Sequence, residues 1–540
     1  MSFVNILPKS KKYNILLNMT TDAKQEFEKL LKTLGEKYPN EDLDMVKLAY
    51  EFAYNAHQEQ KRRSGDDYII HPLATAQFLA ELKMDIPTII AGLLHDVPED
   101  TAITIEDIKK NFGKEVASLV AGITKLGALK YRGMERYAEN LRRMFVAMSN
   151  DIRVILIKFA DRIHNLKTLE FLPPEKQIRI ARESLEIYAP IADRLGIGKI
   201  KGELEDLSFK YVYPIDYKWI MEILPKKYKE KERYLEKVKK RVAKKLLDSG
   251  ITLKNISIHG RTKHLYSLYK KLLRPPINRD LSKIYDLIAL RIIVPSVADC
   301  YSALGVLHNL YRPMPGRVKD YIAQPKPNGY QSLHTTVFTE NGEIVEFQIR
   351  TTDMHEEAEF GIAAHWNYKE NKGGINKKSI KWIEELVKWQ KQIQDNEQFL
   401  NDIKLDIFQN RIFVFTPTGD VIDLPEESTP IDFAYHVHSS IGNQCVGARV
   451  NDHLVSLNSK LKSGDIIEII TDKNRKMPGM DWLENVKTSM AKNKIRSALN
   501  KSRTIFRGIN PNKKNQFDTN SPSQPITSYS GKMRDKTKKL

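Results

Sequence analysis

Residues 151–172 read DIRVILIKFADRIHNLKTLEFL, with apolar side chains recurring at three- and four-residue spacing, the period of a helix that buries one face. The same texture extends outward from about Thr21 to Tyr213, and strands are hard to find within it. This segment is therefore expected to be an all-α domain. Asp161 stands inside the quoted stretch among apolar neighbours, where an ionised carboxylate is costly unless paired or bound to a cation. Asn165 follows four residues later, on the same helical face.

Downstream, the charged run KKYKEKERYLEKVKKRVAKKLLDSG (226–250) predicts a helix that Gly250 stops. Short β-rich runs then alternate with helices: ITLKNISIHG (251–260), a helix from about Lys263 to Leu273, YDLIALRIIVP (285–295), a helix around Asp299 to Leu310, then HTTVF (334–338) and EIVEFQIRT (343–351). Such alternation predicts an α/β or α+β domain with a mixed sheet. ENKGGINKKS (370–379) is a polar break before an amphipathic linker helix, and RIFVFTPTGDVIDLP (411–425) reads as a hairpin turning at Thr418-Gly419-Asp420. A small β-grasp-sized domain ends near Thr471, DWLENVKTSMAKNKIRSALNKSR (481–503) reads as a basic helix pair, and beyond Arg507 the lack of apolar periodicity predicts disorder. The expected units are 20–200, a helical linker 201–250, 251–370, a helical linker 371–408, 409–472, a basic helical segment 473–505 and a basic tail 506–540.

A chain of 540 residues agrees with several domains, at roughly 100 to 200 residues each. Lys plus Arg number 87 against 68 Asp plus Glu, a net charge of +19, which directs attention to acidic partners such as nucleotides or nucleic acid. The last forty residues hold ten Lys or Arg against Asp518 and Asp535, so the body is only moderately basic. Two cysteines, Cys300 and Cys445, exclude a disulfide framework and a zinc ribbon. No secretory leader pattern is visible, and no apolar run approaches the ~18 residues of a membrane span. A soluble cytoplasmic protein is expected.

GLLHDVPEDT (92–101) sets His95 beside Asp96 at the end of an apolar helix, a donor pair suited to a first-row divalent ion. Pro98 ends that helix or opens a new one, presenting Glu99 and Asp100 at the mouth of a pocket. His71, in DYIIHPL, and Asp161 are the further candidate ligands. Blander readings stand beside this one: a helix cap at His95-Asp96, a packed His71, and an Asp161 paired with Arg162 or His164. RRSGDDYIIHPL (62–73), HDVPED (95–100) and FADRIHNLKT (159–168) together resemble the HD-type hydrolase domain of the RelA/SpoT family, enzymes that make and destroy the alarmone (p)ppGpp. The resemblance implies a Mn²⁺ ion on His71, His95, Asp96 and Asp161. It also implies catalytic roles for Glu99 and Asp100, and a nucleotide held by Arg62, Arg63, Ser64 and Asn165. At Pro98 the chain departs from the aliphatic residue frequent in the family.

A second constellation begins at HGRTKHLYSLYKKL (259–272), where Arg261, Lys263 and Lys270 flank a strand-to-helix junction able to meet a polyphosphate. A solvated basic helix is the bland alternative. Asp286 heads one β-like run and Glu346 lies in another, whose alternation places Glu346, Gln348 and Arg350 on one face. Two carboxylates plus phosphates suit Mg²⁺. Arg291 stands five residues from Asp286, on opposite faces of a regular strand, so a bulge or strong twist is expected there. Between the carboxylates, RVKDYIAQPKPNGYQSLHTT (317–336) displays Arg317, Lys319, Lys326 and Tyr330.

From His259 to His365 the chain resembles the family's synthetase domain, a nucleotidyltransferase-like α/β fold. That resemblance implies Mg²⁺ on Asp286 and Glu346, adenine between Arg261 and Arg291, and guanine on Tyr330. Lys263, Ser267, Lys270, Lys319, Lys326, Gln331 and His334 would line the phosphate and acceptor sites. The basic Arg317-Val318-Lys319-Asp320 is similar to the charge motif of bifunctional members. VFTPTGDVIDLPEESTPIDFAYHVHSSIGNQCVGARVN (414–451) resembles a TGS domain, with His438 at the position that contacts deacylated tRNA on the ribosome. Long members continue into further domains without counterpart here, so a short member or a truncation is expected.

The resulting expectation is a bifunctional enzyme acting on ATP, GDP or GTP and (p)ppGpp, without a membrane association. The alternatives are one working site, or a tRNA- and ribosome-binding regulator with vestigial catalytic domains.

Overall fold

The computed structural model describes residues 21–127, 133–250, 256–326, 328–365, 411–475 and 477–508, with isolated positions between 383 and 395. The expected linker at 371–408, apart from those positions, and the tail beyond 508 lie outside the described residues.

The amino-terminal part is helical throughout: α1 (Thr21–Lys37), α2 (Asp44–Ala56), α3 (Ile70–Glu81), α4 (Ile86–Leu94), α5 (Val97–Asp100), α6 (Ile105–Gly127), α7 (Gly133–Asn150), α8 (Arg153–Lys167), α9 (Pro174–Glu183), α10 (Ala189–Arg194) and α11 (Gly198–Val212). Apolar side chains from Ala23 to Leu204 form one buried cluster. α3 and α8, the carriers of His71 and Asp161, are its central helices. Leu73, Ala76, Leu79, Ile155, Leu156, Phe159 and Ile163 are all at most 1% exposed. α4 starts at an Asp85 cap that accepts from the Thr88 backbone, and ends at His95. Pro98 stands in the first turn of α5, where its missing N–H costs nothing.

Arg153 pins this arrangement. Its guanidinium donates to Asp85 at the head of α4 (2.7 Å), to Glu115 of α6 (2.7 Å) and to Asp151 (2.7 Å), so the helices bearing His95 and Asp161 start from one ionic knot.

α12 (Pro214–Asp248) is 35 residues long, and Gly250 follows in the left-handed region at φ 84°, the expected stop. A six-stranded mixed sheet follows: β1 (Ser257–Thr262), β2 (Ile288–Val294), β3 (Arg312–Pro313), β4 (Lys319–Asp320), β5 (Leu333–Phe338) and β6 (Ile344–Thr351). Their spatial order is β1-β2-β6-β5-β3, with β4 also on β5. β2 and β6 are parallel, and the other pairs antiparallel. α13 (Leu265–Leu272) follows β1, α14 (Val297–Leu310) joins β2 to β3, and α15 (Thr352–Phe360) follows β6.

Alternation divides this sheet chemically. Leu290, Ile292, Val294, Leu333, Val337, Val345, Phe347 and Ile349 pack with Leu235 and Val238 of α12 and Ala303 and Leu307 of α14. On the opposite face, register sets His259 against Arg291, Arg291 against Gln348, Gln348 against His334, and His334 against Lys319. An entire crosswise row is therefore polar.

The last described part contains the hairpin β7 (Arg411–Phe415) and β8 (Val421–Pro425), then α16 (Pro430–Val437), α17 (Ser439–Gln444), β9 (Cys445–Val450), β10 (His453–Val455), β11 (Ile467–Thr471), α18 (Trp482–Asn485) and α19 (Ser489–Gly508). The hairpin turns at Gly419, φ 89°, as expected. Trp482, Val486, Ala491 and Ile495 pack with Ile431, Ala434 and Tyr435, so α18 and α19 share a core with the small sheets' helices. No described helix is long and apolar enough to cross a membrane.

Candidate active sites

α3, the end of α4 and α8 meet at a buried cluster. One donor atom each from His71, His95 and Asp161 lies within 4.8 Å of the others, and all three residues are buried. Asp96 completes the group, 3.4 Å from His71 Nε2 and 3.1 Å from His95 Nε2. His71 Nε2 is also 3.3 Å from Asp161. His95 Nδ1 donates to the Gly92 carbonyl at 2.7 Å, which leaves Nε2 as the bare lone pair, buried with no hydrogen-bond partner. An orphaned imidazole nitrogen aimed at two carboxylates and a second histidine fits a divalent cation.

The charges are held in place. Burial opposes ionisation of Asp161, yet Lys158 (2.7 Å) and His71 keep its carboxyl well below the usual range. Asn165 donates to the same carboxylate, confirming the shared helical face. Arg162 points elsewhere, to Glu183 and Tyr188. Burial likewise works against Asp96, and His95 and His71 outweigh it.

Glu99 and Asp100 lie at the mouth, and both are exposed. Glu99 is nevertheless crowded by protein on its inner side, and this desolvation pushes its carboxyl up to about 7. Asp100 accepts from the Tyr68 hydroxyl at 2.5 Å, and the same hydroxyl lies 3.0 Å from Asp96. Arg62 reaches Asn165 (2.9 Å) and His164 (3.2 Å). Ser64 donates within its own loop to Asp66 (2.7 Å), and Arg63 is exposed.

On the polar face of the sheet, side chains form a continuous chain of hydrogen bonds. Tyr330 O–H donates to His334 Nε2 (2.8 Å), His334 Nδ1 to Glu346 (3.3 Å), Gln348 to Glu346 (2.9 Å) and Arg261 to Gln348 (3.0 Å). Burial alone would raise the Glu346 carboxyl; the bonds from His334 and Gln348 hold it below its ordinary value. Lys326 lies 4.8 and 5.0 Å above the Tyr321 and Tyr330 rings, and burial brings its ammonium down to about 8.

Asp286 corrects the sequence reading. It occupies a turn before β2, so its offset from Arg291 needs no bulge, and the β1–β2 register is unbroken. Lys263 (2.7 Å) and Lys271 (2.6 Å) grip its two oxygens and, against burial, hold its carboxyl down at about 2. Arg291 pairs with Glu359 of α15 at 2.9 Å, and Arg350 shares that oxygen at 3.2 Å. Gln331 donates to the Ile322 carbonyl, and Lys319 lies on β4 beside His334.

Ser267 and the exposed Lys270 both reach a carboxylate of α11. Glu205, only 4% exposed, accepts from Ser267 (3.1 Å) and Lys270 (3.4 Å). Its neighbour Asp206 takes His264 (2.8 Å) and the Tyr266 backbone N–H (3.0 Å). Gly202 permits this approach: a Cβ there would fall 2.1 Å from His264 Nε2. His438, exposed, caps α17 by accepting from the Ser440 N–H.

Three family models match in series: an HD domain at residues 49–198, a region found in RelA / SpoT proteins at 260–373 and a TGS domain at 412–471. The chain is 48% identical over 478 residues to a guanosine-3′,5′-bis(diphosphate) 3′-pyrophosphohydrolase of Aquifex aeolicus, an alignment spanning 88% of this chain and 67% of that one. The chain belongs to the RelA/SpoT family. Other members similar to it include a GTP pyrophosphokinase of Myxococcus xanthus (49% identical, 86% of this chain, 61% of that one) and a bifunctional (p)ppGpp synthase/hydrolase RelA of Mycobacterium tuberculosis (46%, 88% and 65%). The chain thus spans about two thirds or less of the length of these RelA/SpoT relatives.

Sequence reasoning missed Tyr68, Lys158, Lys271, Glu205 and Glu359, each a partner of a residue it singled out. Only Lys158 carried a local signal, three residues before Asp161 on one helix.

Proposed function

We propose that the chain is a bifunctional alarmone enzyme of the stringent response. Its helical domain would hydrolyse (p)ppGpp to GDP or GTP and pyrophosphate; its sheet domain would make (p)ppGpp by moving pyrophosphate from ATP to GDP or GTP. What carries the reading is the coexistence of two chemically distinct centres in one chain, an inward His/Asp cluster and a cation-rich sheet face with two carboxylates. The names borne by its relatives cover both activities.

In the helical domain His71, His95, Asp96 and Asp161 would hold a divalent ion, manganese in this reading. Such an ion, when bound, polarises the 3′-pyrophosphate and acidifies a water. Glu99, with its carboxyl near neutrality, is matched to accept the proton of the attacking water. Asp100, oriented by Tyr68, aims that water, and Arg62, Arg63, Ser64 and Asn165 hold the nucleotide.

In the sheet domain, Asp286 and Glu346 would hold Mg²⁺, which offsets phosphate charge when bound. The acceptor's 3′-hydroxyl attacks the β-phosphorus of ATP in line, the bond from that phosphorus to the α,β-bridging oxygen breaks, and AMP leaves. Glu346 takes the hydroxyl proton. Arg261 and Arg291 enclose adenine, and Tyr330 stacks on guanine. Lys263, Ser267, Lys270, Lys319, Lys326, Gln331 and His334 line the phosphates and the acceptor, so catalysis is mostly positioning and charge neutralisation. Since Glu205 already occupies Ser267 and Lys270, ATP must displace it, and α11 would couple the two centres. Ile200 and Leu204 of α11 belong to the helical core, while its Phe209 packs with Leu268 and Tyr269 of α13. His438 would offer the TGS domain a contact to deacylated tRNA on the ribosome. Two free, buried cysteines accord with a reducing cytoplasm.

The test is turnover by the purified chain, with ATP plus GDP and Mg²⁺ in one assay and ppGpp and Mn²⁺ in another, resolved by anion exchange. Product in both is expected; product in neither overturns the reading.

A further inference from the structure

The two histidines of the helical centre are oriented by different means. His95 gives its Nδ1 proton to the Gly92 carbonyl, a backbone acceptor that no side-chain substitution removes. His71 has its Nδ1 2.8 Å from Nδ1 of His164, one turn beyond Asp161 on α8. For His71 Nε2 to give its lone pair to an ion held with Asp96 and Asp161, its proton must sit on Nδ1, and that proton needs an acceptor. His164 Nδ1 is placed to be that acceptor. The same nitrogen receives Arg62 Nη1 at 3.2 Å, and two donors converging on one ring nitrogen require it to carry no proton of its own. Arg62 is in turn fixed by Asn165 (2.9 Å) and approaches Thr168 (3.5 Å).

We propose that His164 is a positioning residue of the metal centre, whose Nδ1 lone pair holds His71 in the Nδ1–H tautomer and thereby aims His71 Nε2 at the ion. Outer-sphere acceptors of this kind orient metal-binding imidazoles and raise their basicity. The arrangement also joins the nucleotide side of the pocket to the metal side, because Arg62 and His71 share one acceptor. The proposal rests on the reading of His71 as a ligand.

The test compares His164→Asn, whose amide oxygen can replace the Nδ1 acceptor, with His164→Leu, which keeps bulk and offers none. Mn²⁺ affinity of each full-length chain is measured without nucleotide, by the electron paramagnetic resonance signal of free Mn²⁺, with thermal melting as the fold control. His164→Leu is expected to bind Mn²⁺ about ten- to a hundredfold more weakly, and His164→Asn to stay near the parent. Equal affinity in the Leu variant, or equal losses in both variants, would overturn the proposal. Failure of the ligand reading itself is distinguished by His71→Ala, which would then leave Mn²⁺ binding unchanged.

Discussion

The helical centre and the sheet face hold their charged groups in opposite ways. In the helical centre the side chains converge on one point, and His95 Nε2 has no hydrogen-bond partner there. In the sheet domain several groups are already engaged by others: Asp286 by Lys263 and Lys271, Arg291 by Glu359, Ser267 and Lys270 by Glu205. A buried convergent cluster is incomplete until it meets a cation, whereas a self-paired surface must exchange partners to bind its ligand. The first centre should therefore respond to metal above all, and the second to the release of internal pairs.

Stripping the chain of held metal with a chelator and then assaying both reactions in Mg²⁺ alone should sharpen the contrast most. Hydrolysis of ppGpp is expected to fall to background and to return on adding Mn²⁺, as read by pyrophosphate release; unaltered hydrolysis would remove the cluster from the chemistry. Next in size, Glu346→Gln removes the group assigned as base, and pyrophosphate transfer should drop by roughly 10²- to 10⁴-fold, with hydrolysis unchanged.

The scaffold of the helical centre can be broken without touching a ligand. Arg153 is 8% exposed and serves three carboxylates. Arg153→Ala would take this shared cation from Asp85, Asp151 and the exposed Glu115, for a loss of about 2–4 kcal/mol, visible in denaturant unfolding. A shift inside experimental error would show that α4 and α8 are aligned by apolar packing alone. The smallest effect concerns the sheet face: Glu205→Gln weakens the hold on Lys270 and should lower the KM for ATP a few-fold. An unchanged or higher KM would mean that Glu205 supports the site instead of competing for it.

Much of this was legible in the residues themselves. Helical periodicity carried the amino-terminal domain, the four-residue offset aligned Asp161 with Asn165, and strand alternation placed Glu346, Gln348 and Arg350 on one face. Asp286 was misread because a β-like composition continues through a backbone turn that only tertiary packing defines. The partners stayed hidden for a different reason. Glu205 meets Ser267 across 62 residues, Arg291 meets Glu359 across 68 and His71 meets His164 across 93. No periodic signal spans such distances, since chain crossing and not local preference brings these groups together.

The central claim is that one chain carries two separable centres. The most direct measurement is both turnover assays on the parent chain, on Asp161→Asn and on Glu346→Gln, with the three proteins matched in melting temperature. Asp161→Asn should lose hydrolysis and keep pyrophosphate transfer, while Glu346→Gln should show the reverse. Loss of both activities in either variant, or of neither, would contradict the account.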